Sequence, residues 1–158
     1  IHSMKKNPEN NDLQKKGLAL SDEFNRLEGR RPRILVGSLC IDGIFSSNKI
    51  YNVLSDMGFD VDIAPKIEAL NVLVTQSLEN DADVLLVRTD RQGIEDELLE
   101  FQRQVYANQP HSQLALYHKD LSYLSRLKPK LTQWNCFDQS NSEFMISYHL
   151  LHAILHGC

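Results

Sequence analysis

The sequence predicts an α/β domain: a doubly wound, five-stranded parallel sheet with helices on both faces. Three observations carry this expectation. Ile34-Leu35-Val36 and Val84-Leu85-Leu86-Val87 are short, wholly apolar runs, as expected of central strands buried on both sides. Stretches with apolar residues at helical spacing follow the strand candidates. Strand and helix signals alternate along the whole chain, the pattern that right-handed crossovers turn into a parallel sheet. The expected strand order is 2-1-3-4-5, the flavodoxin-like variant of Rossmann-like folds.

Taken in order, residues 1–17 are expected to be a vector remnant and flexible arm, and the domain then spans 18–158. Ile1-His2-Ser3 ahead of Met4 reads as a vector remnant, and residues 4 to 17 are polar enough, with Pro8 and several Asn, to form a loose arm. Ser21 is expected to cap a short helix whose apolar edge is Phe24 and Leu27, with Gly29 ending it. The basic, Pro-containing lead-in Arg30-Arg31-Pro32-Arg33 precedes the first strand. Asp42-Gly43 then reads as a tight turn, because Asp bonds its own backbone and Gly takes positive φ freely.

A helix is expected from Ser46 or Ser47, with Ile50, Val53, Leu54 and Met57 inward and Gly58 closing it. Phe59 to Ile63 alternates apolar and acidic residues, as a strand near the sheet edge does, and Pro65 breaks it. Ala69 to Leu78 reads as an amphipathic helix using Leu70, Leu73, Val74 and Leu78. After the Val84–Val87 strand, Ile94, Leu98, Phe101 and Val105 mark a long helix. Leu114 to Tyr117 is the fourth strand, Leu121 to Leu127 a helix stopped before Pro129, and Cys136-Phe137 a minimal fifth strand. Trp134 is placed in a polar connection as a packing residue. Ser140 with Glu143 suggests a capping box opening a last helix towards His156 and Gly157.

Composition narrows the function. The 158 residues are 42% hydrophobic and 24% charged, enough for one domain with a full core. A net charge of -4 without a basic block disfavours nucleic acid and anionic membrane as partners. Cys40, Cys136 and Cys158 are odd in number and widely spaced, which suits a reducing, cytoplasmic location.

Glu28 to Val36, then Asp42-Gly43, then Met57 to Pro65 resemble the cobalamin-binding domain of methylmalonyl-CoA mutase and its acyl-CoA mutase relatives. Glu79 to Val84 continues the likeness in register. Motifs carry it from residue 24 to about 90, and element order carries it beyond. The resemblance implies a signature Asp-x-His-x-x-Gly after the first strand, whose His is the lower ligand of cobalt. It also implies Ser-x-Leu after the third strand and Gly-Gly after the fourth, small residues that open a slot for the cofactor's nucleotide tail. Here the first motif reads Asp42-Gly43-Ile44-Phe45-Ser46-Ser47, the second falls on Arg88-Thr89-Asp90 and the third near Tyr117-His118-Lys119. Ile44 has no lone pair for a metal, so Asp42 has no imidazole to orient.

The expected function is therefore a degenerate mutase-type domain, a non-catalytic binding or assembly module without cobalamin. Asp42 and Gly43 are motif remnants. The alternative is a small cobalamin-carrying subunit of an acyl-CoA mutase, completed by a separate barrel subunit. A mutase barrel subunit or a second copy of the chain is the expected partner.

Other sites are weighed on residues alone. Arg88, His118 and Lys119, all following strands, are a candidate anion site at the switch point. His149, His152 and His156 share one helix face opposite Leu150, Leu151, Ile154 and Leu155, and are expected exposed rather than metal-binding. A phospho-receiver would need an acidic pair where Gly37-Ser38 stands, although Asp90 matches its third-strand Asp. No phosphate loop or HExxH pattern is present.

Overall fold

The computed structural model describes residues 8–39, 47–65 and 69–157. Five parallel strands make one sheet in the order β2-β1-β3-β4-β5, as expected. The strands are β1 (Arg33–Leu39), β2 (Asp60–Ile63), β3 (Val84–Thr89), β4 (Gln113–His118) and β5 (Trp134–Phe137). The helices are α1 (Pro8–Glu28), α2 (Ser47–Asp56), α3 (Asn71–Asn80), α4 (Glu95–Asn108), α5 (Leu121–Leu127) and α6 (Glu143–His156).

Strand alternation divides the core in two. Ile34, Val36, Val84, Leu86, Ala115 and Phe137 face α2 and α6. Leu35, Leu39, Leu85, Val87, Leu114 and Leu116 face α3, α4 and α5. The apolar runs read as central strands are buried from end to end, and β2 at the edge exposes Asp60 and Asp62.

The basic lead-in is a structural clamp. Arg30 makes two parallel bonds to Asp83, at 2.8 and 3.0 Å, and the same carboxylate accepts from Arg33 N at 2.8 Å. Arg31 donates to the carbonyls of Ser55, Gly58 and Phe59, tying the end of α2 and the turn after it to the entry of β1. Gly58, at φ +103°, makes the turn that the clamp holds.

The first corrections come at the amino end. Residues 8–17 are the first half of a 21-residue helix, not a loose arm. Leu13, Gly17, Ser21 and Phe24 form a narrow buried seam against α6 and Met57. The seam is helical in period, but two of its members are Gly and Ser, so it carries little apolar signal. Ser21 is consequently not a cap; it lies inside the helix and donates to Leu18 O. Leu27 is 58% exposed rather than part of the apolar edge.

On α3 the inward row is Leu70, Leu73 and Ser77, while Leu78, one helical step round, faces solvent. The last helix is capped by Ser142, whose hydroxyl accepts from Met145 N, and not by Ser140, which is engaged with Asp138. Trp134 belongs to β5 and not to a connection, although it does pack, against Phe101. The Asp42-Gly43 turn and a cap at Ser46 lie outside the described residues.

Gly37 of β1 sets how closely α3 approaches the sheet: a Cβ there would stand 2.4 Å from Leu73 Cδ1. Gly37→Ala is expected to cost about 1–3 kcal/mol through overpacking, lowering the melting temperature by roughly 2–10 °C. Thermal unfolding followed by circular dichroism checks this.

Candidate functional site

In an open α/β sheet, ligands bind at the carboxyl ends of the strands where the strand order reverses. Here that point lies between β1 and β3. The described residues around it are Ser38 and Leu39 on β1, Arg88 and Thr89 on β3, Tyr117 and His118 on β4, and Phe137 on β5. Asp42 and Gly43 lie in the loop that leaves β1, outside the described residues.

Register decides which of these groups meet. Arg88 pairs with Ser38 and Tyr117, and Thr89 with Leu39 and His118. Cross-strand partners point to the same face. Arg88 and Tyr117 therefore continue the face towards α2 and α6, while Thr89 and His118 continue the face towards α3, α4 and α5.

The second face is closed by satisfied polar groups. Thr89 Oγ1 donates to Leu39 O at 2.9 Å and accepts from Arg91 N at 3.0 Å. His118 is wholly buried. Its Nδ1 accepts from Asp120 N at 2.9 Å, and its Nε2 lies 2.7 Å from Arg91 O. An amide N–H can only donate and a carbonyl can only accept, so the ring proton sits on Nε2. Asp120 caps α5 through Tyr123 N and receives Gln92 Nε2, and the Tyr123 hydroxyl accepts from Ile94 N. Every polar atom of His118 is used in joining two loops.

The first face is different in kind. Arg88 is 8% exposed, and Tyr117 is half-buried beside it. Burial pushes the Tyr117 phenol above its ordinary range, the Glu143 carboxylate adds to this, and Arg88 opposes it. Glu143, at the start of α6, reaches Lys49 of α2 at 3.5 Å, which links the two helices flanking the crevice. Asp138 accepts from both the hydroxyl and the backbone N–H of Ser140, and these bonds hold its carboxyl below the ordinary Asp range.

The candidate anion site is thus not assembled as expected. Arg88 and His118 lie on opposite faces of the sheet, His118 has no free nitrogen, and Lys119 is exposed on the following loop. The chain of groups on the other face, Arg88 beside Tyr117, Glu143 acting on the Tyr117 phenol and Lys49 paired with Glu143, was not visible as a set. Two lie on helices, and only the sheet register brings the others alongside. His149, His152 and His156 are exposed on α6, with the rings of His152 and His156 4.6 Å apart. Among the described residues no group of three or more His, Cys, Asp or Glu side chains is placed to hold a metal ion. No helix there is long and apolar enough to cross a membrane.

Comparison with known proteins adds the following. No family model matches the chain. Segments of 68 and 69 residues, 42–43% of the chain, are 38% identical to the methylmalonyl-CoA mutase large subunit of Streptomyces virginiae and 35% identical to methylmalonyl-CoA mutase of Escherichia coli K12. The mitochondrial methylmalonyl-CoA mutase of Bos taurus matches at 35% over 69 residues. The chain spans about a tenth of the length of these relatives. In fold it is similar to a crystal structure of a novel cobalamin-binding protein from Desulfitobacterium hafniense DCB-2. That likeness has a TM-score of 0.59 and 12% identity, covering 92% of this chain and 70% of that one. The chain is therefore related in sequence to part of the mutases and shares the fold of a cobalamin-binding protein.

Two tests follow from this geometry. His118→Leu removes the bonds from Asp120 N and to Arg91 O and is expected to cost about 2–4 kcal/mol, whereas Lys119→Ala, on the surface, is expected within about 0.5 kcal/mol of wild type. Urea unfolding midpoints measure both. For pH, Asp120 and Asp138 have folded values below the ordinary 3.8. Their stabilisation is complete above that value and is lost as pH falls through the lower folded values. Asp138→Asn is expected to flatten the acid limb of stability between about pH 5 and about pH 2, read from urea midpoints across that range.

Proposed function

We propose that this chain is a mutase-type cobalamin-binding domain that no longer holds cobalamin and serves as a non-catalytic binding or assembly module. One observation carries the reading. Arg88 and Tyr117 stand side by side on the α2/α6 face at the switch point, and Arg88 is 8% exposed. The resemblance puts small residues at the ends of these two strands, to admit a long nucleotide tail. A guanidinium and a phenol there occupy the space instead. In the sequence, Ile44 stands where the resemblance has the cobalt-ligating His, and an alkyl side chain has no lone pair to offer. The residues present do not fit a corrinoid.

The proposed partner is a mutase barrel subunit or a second copy of the chain, met in the cytoplasm. A second reading keeps the cofactor: a small cobalamin-carrying subunit completed by a separate barrel protein. The 38% identity to mutase large subunits over 68 residues favours it.

Hydroxocobalamin and adenosylcobalamin, mixed in excess with the protein and passed over gel filtration, separate the two readings. The expected outcome is no corrinoid absorbance under the protein peak and an unchanged melting temperature. Stoichiometric retention of either corrinoid would establish the second reading in place of the first.

A further inference from the structure

The last helix ends on a pair of imidazoles that the proposed function does not use. His152 and His156 are four residues apart on α6, so they are neighbours on one face, and both are exposed. Their ring centroids lie 4.6 Å apart. Two imidazoles that share one ion at about 2.0 Å per nitrogen, on adjacent coordination positions, have centroids roughly 4.5–5 Å apart. The turn that carries them is firm. Leu150, Leu151 and Ala153 are buried on its other side, and Gly157 closes the helix in the left-handed region, its N–H bonded to Ala153 O at 2.8 Å. Helical spacing therefore holds through His156.

Neither imidazole has a hydrogen bond or ion pair with another described residue, so their ring nitrogens are open to a ligand. The carboxyl end of a helix is also its negative end, which favours a cation there. We propose that His152 and His156 form a two-point chelate for a divalent transition-metal ion, with water in the remaining positions. The donors select the ion: imidazole suits nickel, copper and zinc, whereas magnesium and calcium take oxygen ligands. Among the described residues no third His, Cys, Asp or Glu joins the pair, so the ion is exchangeable and not part of the core. His149, exposed on the same helix, stands outside the chelate. Its ring lies against Phe137 at 6.0 Å and Tyr148 at 6.1 Å. Roughly 20 Å of helix separates His156 from Glu143, so the pair is independent of whether the strand ends take a corrinoid.

Nickel(II) is the probe, and isothermal titration calorimetry of the full chain the measurement. One site is expected, with a Kd on the order of 10 μM. His152→Ala and His156→Ala are each expected to weaken it by about tenfold or more, and His149→Ala to change it by less than about twofold. All three are surface substitutions, and far-UV circular dichroism shows that each variant folds. Magnesium up to about 10 mM is expected to give no heat of binding. The proposal is overturned if nickel shows no saturable uptake up to about 1 mM. It is equally overturned if either His152→Ala or His156→Ala binds nickel as the wild type does, or if His149→Ala loses as much affinity as they do.

Discussion

A β-strand turns successive side chains to opposite faces, and at the carboxyl ends of β3 and β4 that alternation governs everything a ligand could meet. Arg88 and Tyr117 are in register on one face, Thr89 and His118 on the other. A slip of one residue in β3 alone would turn Arg88 to the α3–α5 face beside His118, and a slip in β4 alone would turn His118 to the α2/α6 face beside Arg88. The register is held from the amino end of the strands. There Asp83 accepts two bonds from Arg30 and one from the backbone of Arg33, and Arg31 ties the end of α2 to the entry of β1. The polar contents of the site depend on a clamp at the far end of the sheet.

The two faces then have different jobs. On the α4/α5 side, Thr89, His118, Asp120 and Tyr123 spend their hydrogen bonds on one another's loops, so the strand ends there form a closed, rigid floor. On the α2/α6 side, Lys49 and Glu143 join the two flanking helices over a half-buried phenol and a nearly buried guanidinium. Packing of α1 on α6, through a seam that needs Gly17 to pass Met57, braces that side from behind. The crevice is thus lined by polar side chains held within a tight frame, which is why its contents and not its outline decide what it admits.

The sheet was legible because its two central strands are unbroken apolar runs, and the chain has enough Gly and Pro punctuation to separate the elements. Leu78 and Leu27 show the limit of that reading: composition suggested an inward face, but a single 100° step of the helix sends each to solvent. The reverse error hid α1, whose buried seam includes Gly17 and Ser21, residues that contribute close approach rather than apolar surface. At the site, grouping Arg88, His118 and Lys119 by their position after strands was sound as topology and failed on face parity. The loop that holds Asp42 and Gly43 falls outside the described residues.

The proposed function requires side chains to fill the space a cofactor's tail would need. Crystals grown with hydroxocobalamin in excess test it most directly. The account predicts the Arg88 guanidinium beside the Tyr117 ring on the α2/α6 face, with no corrin density against the carboxyl ends of the strands. Density for the nucleotide tail between the sheet and α6, with Arg88 swung away, would contradict it.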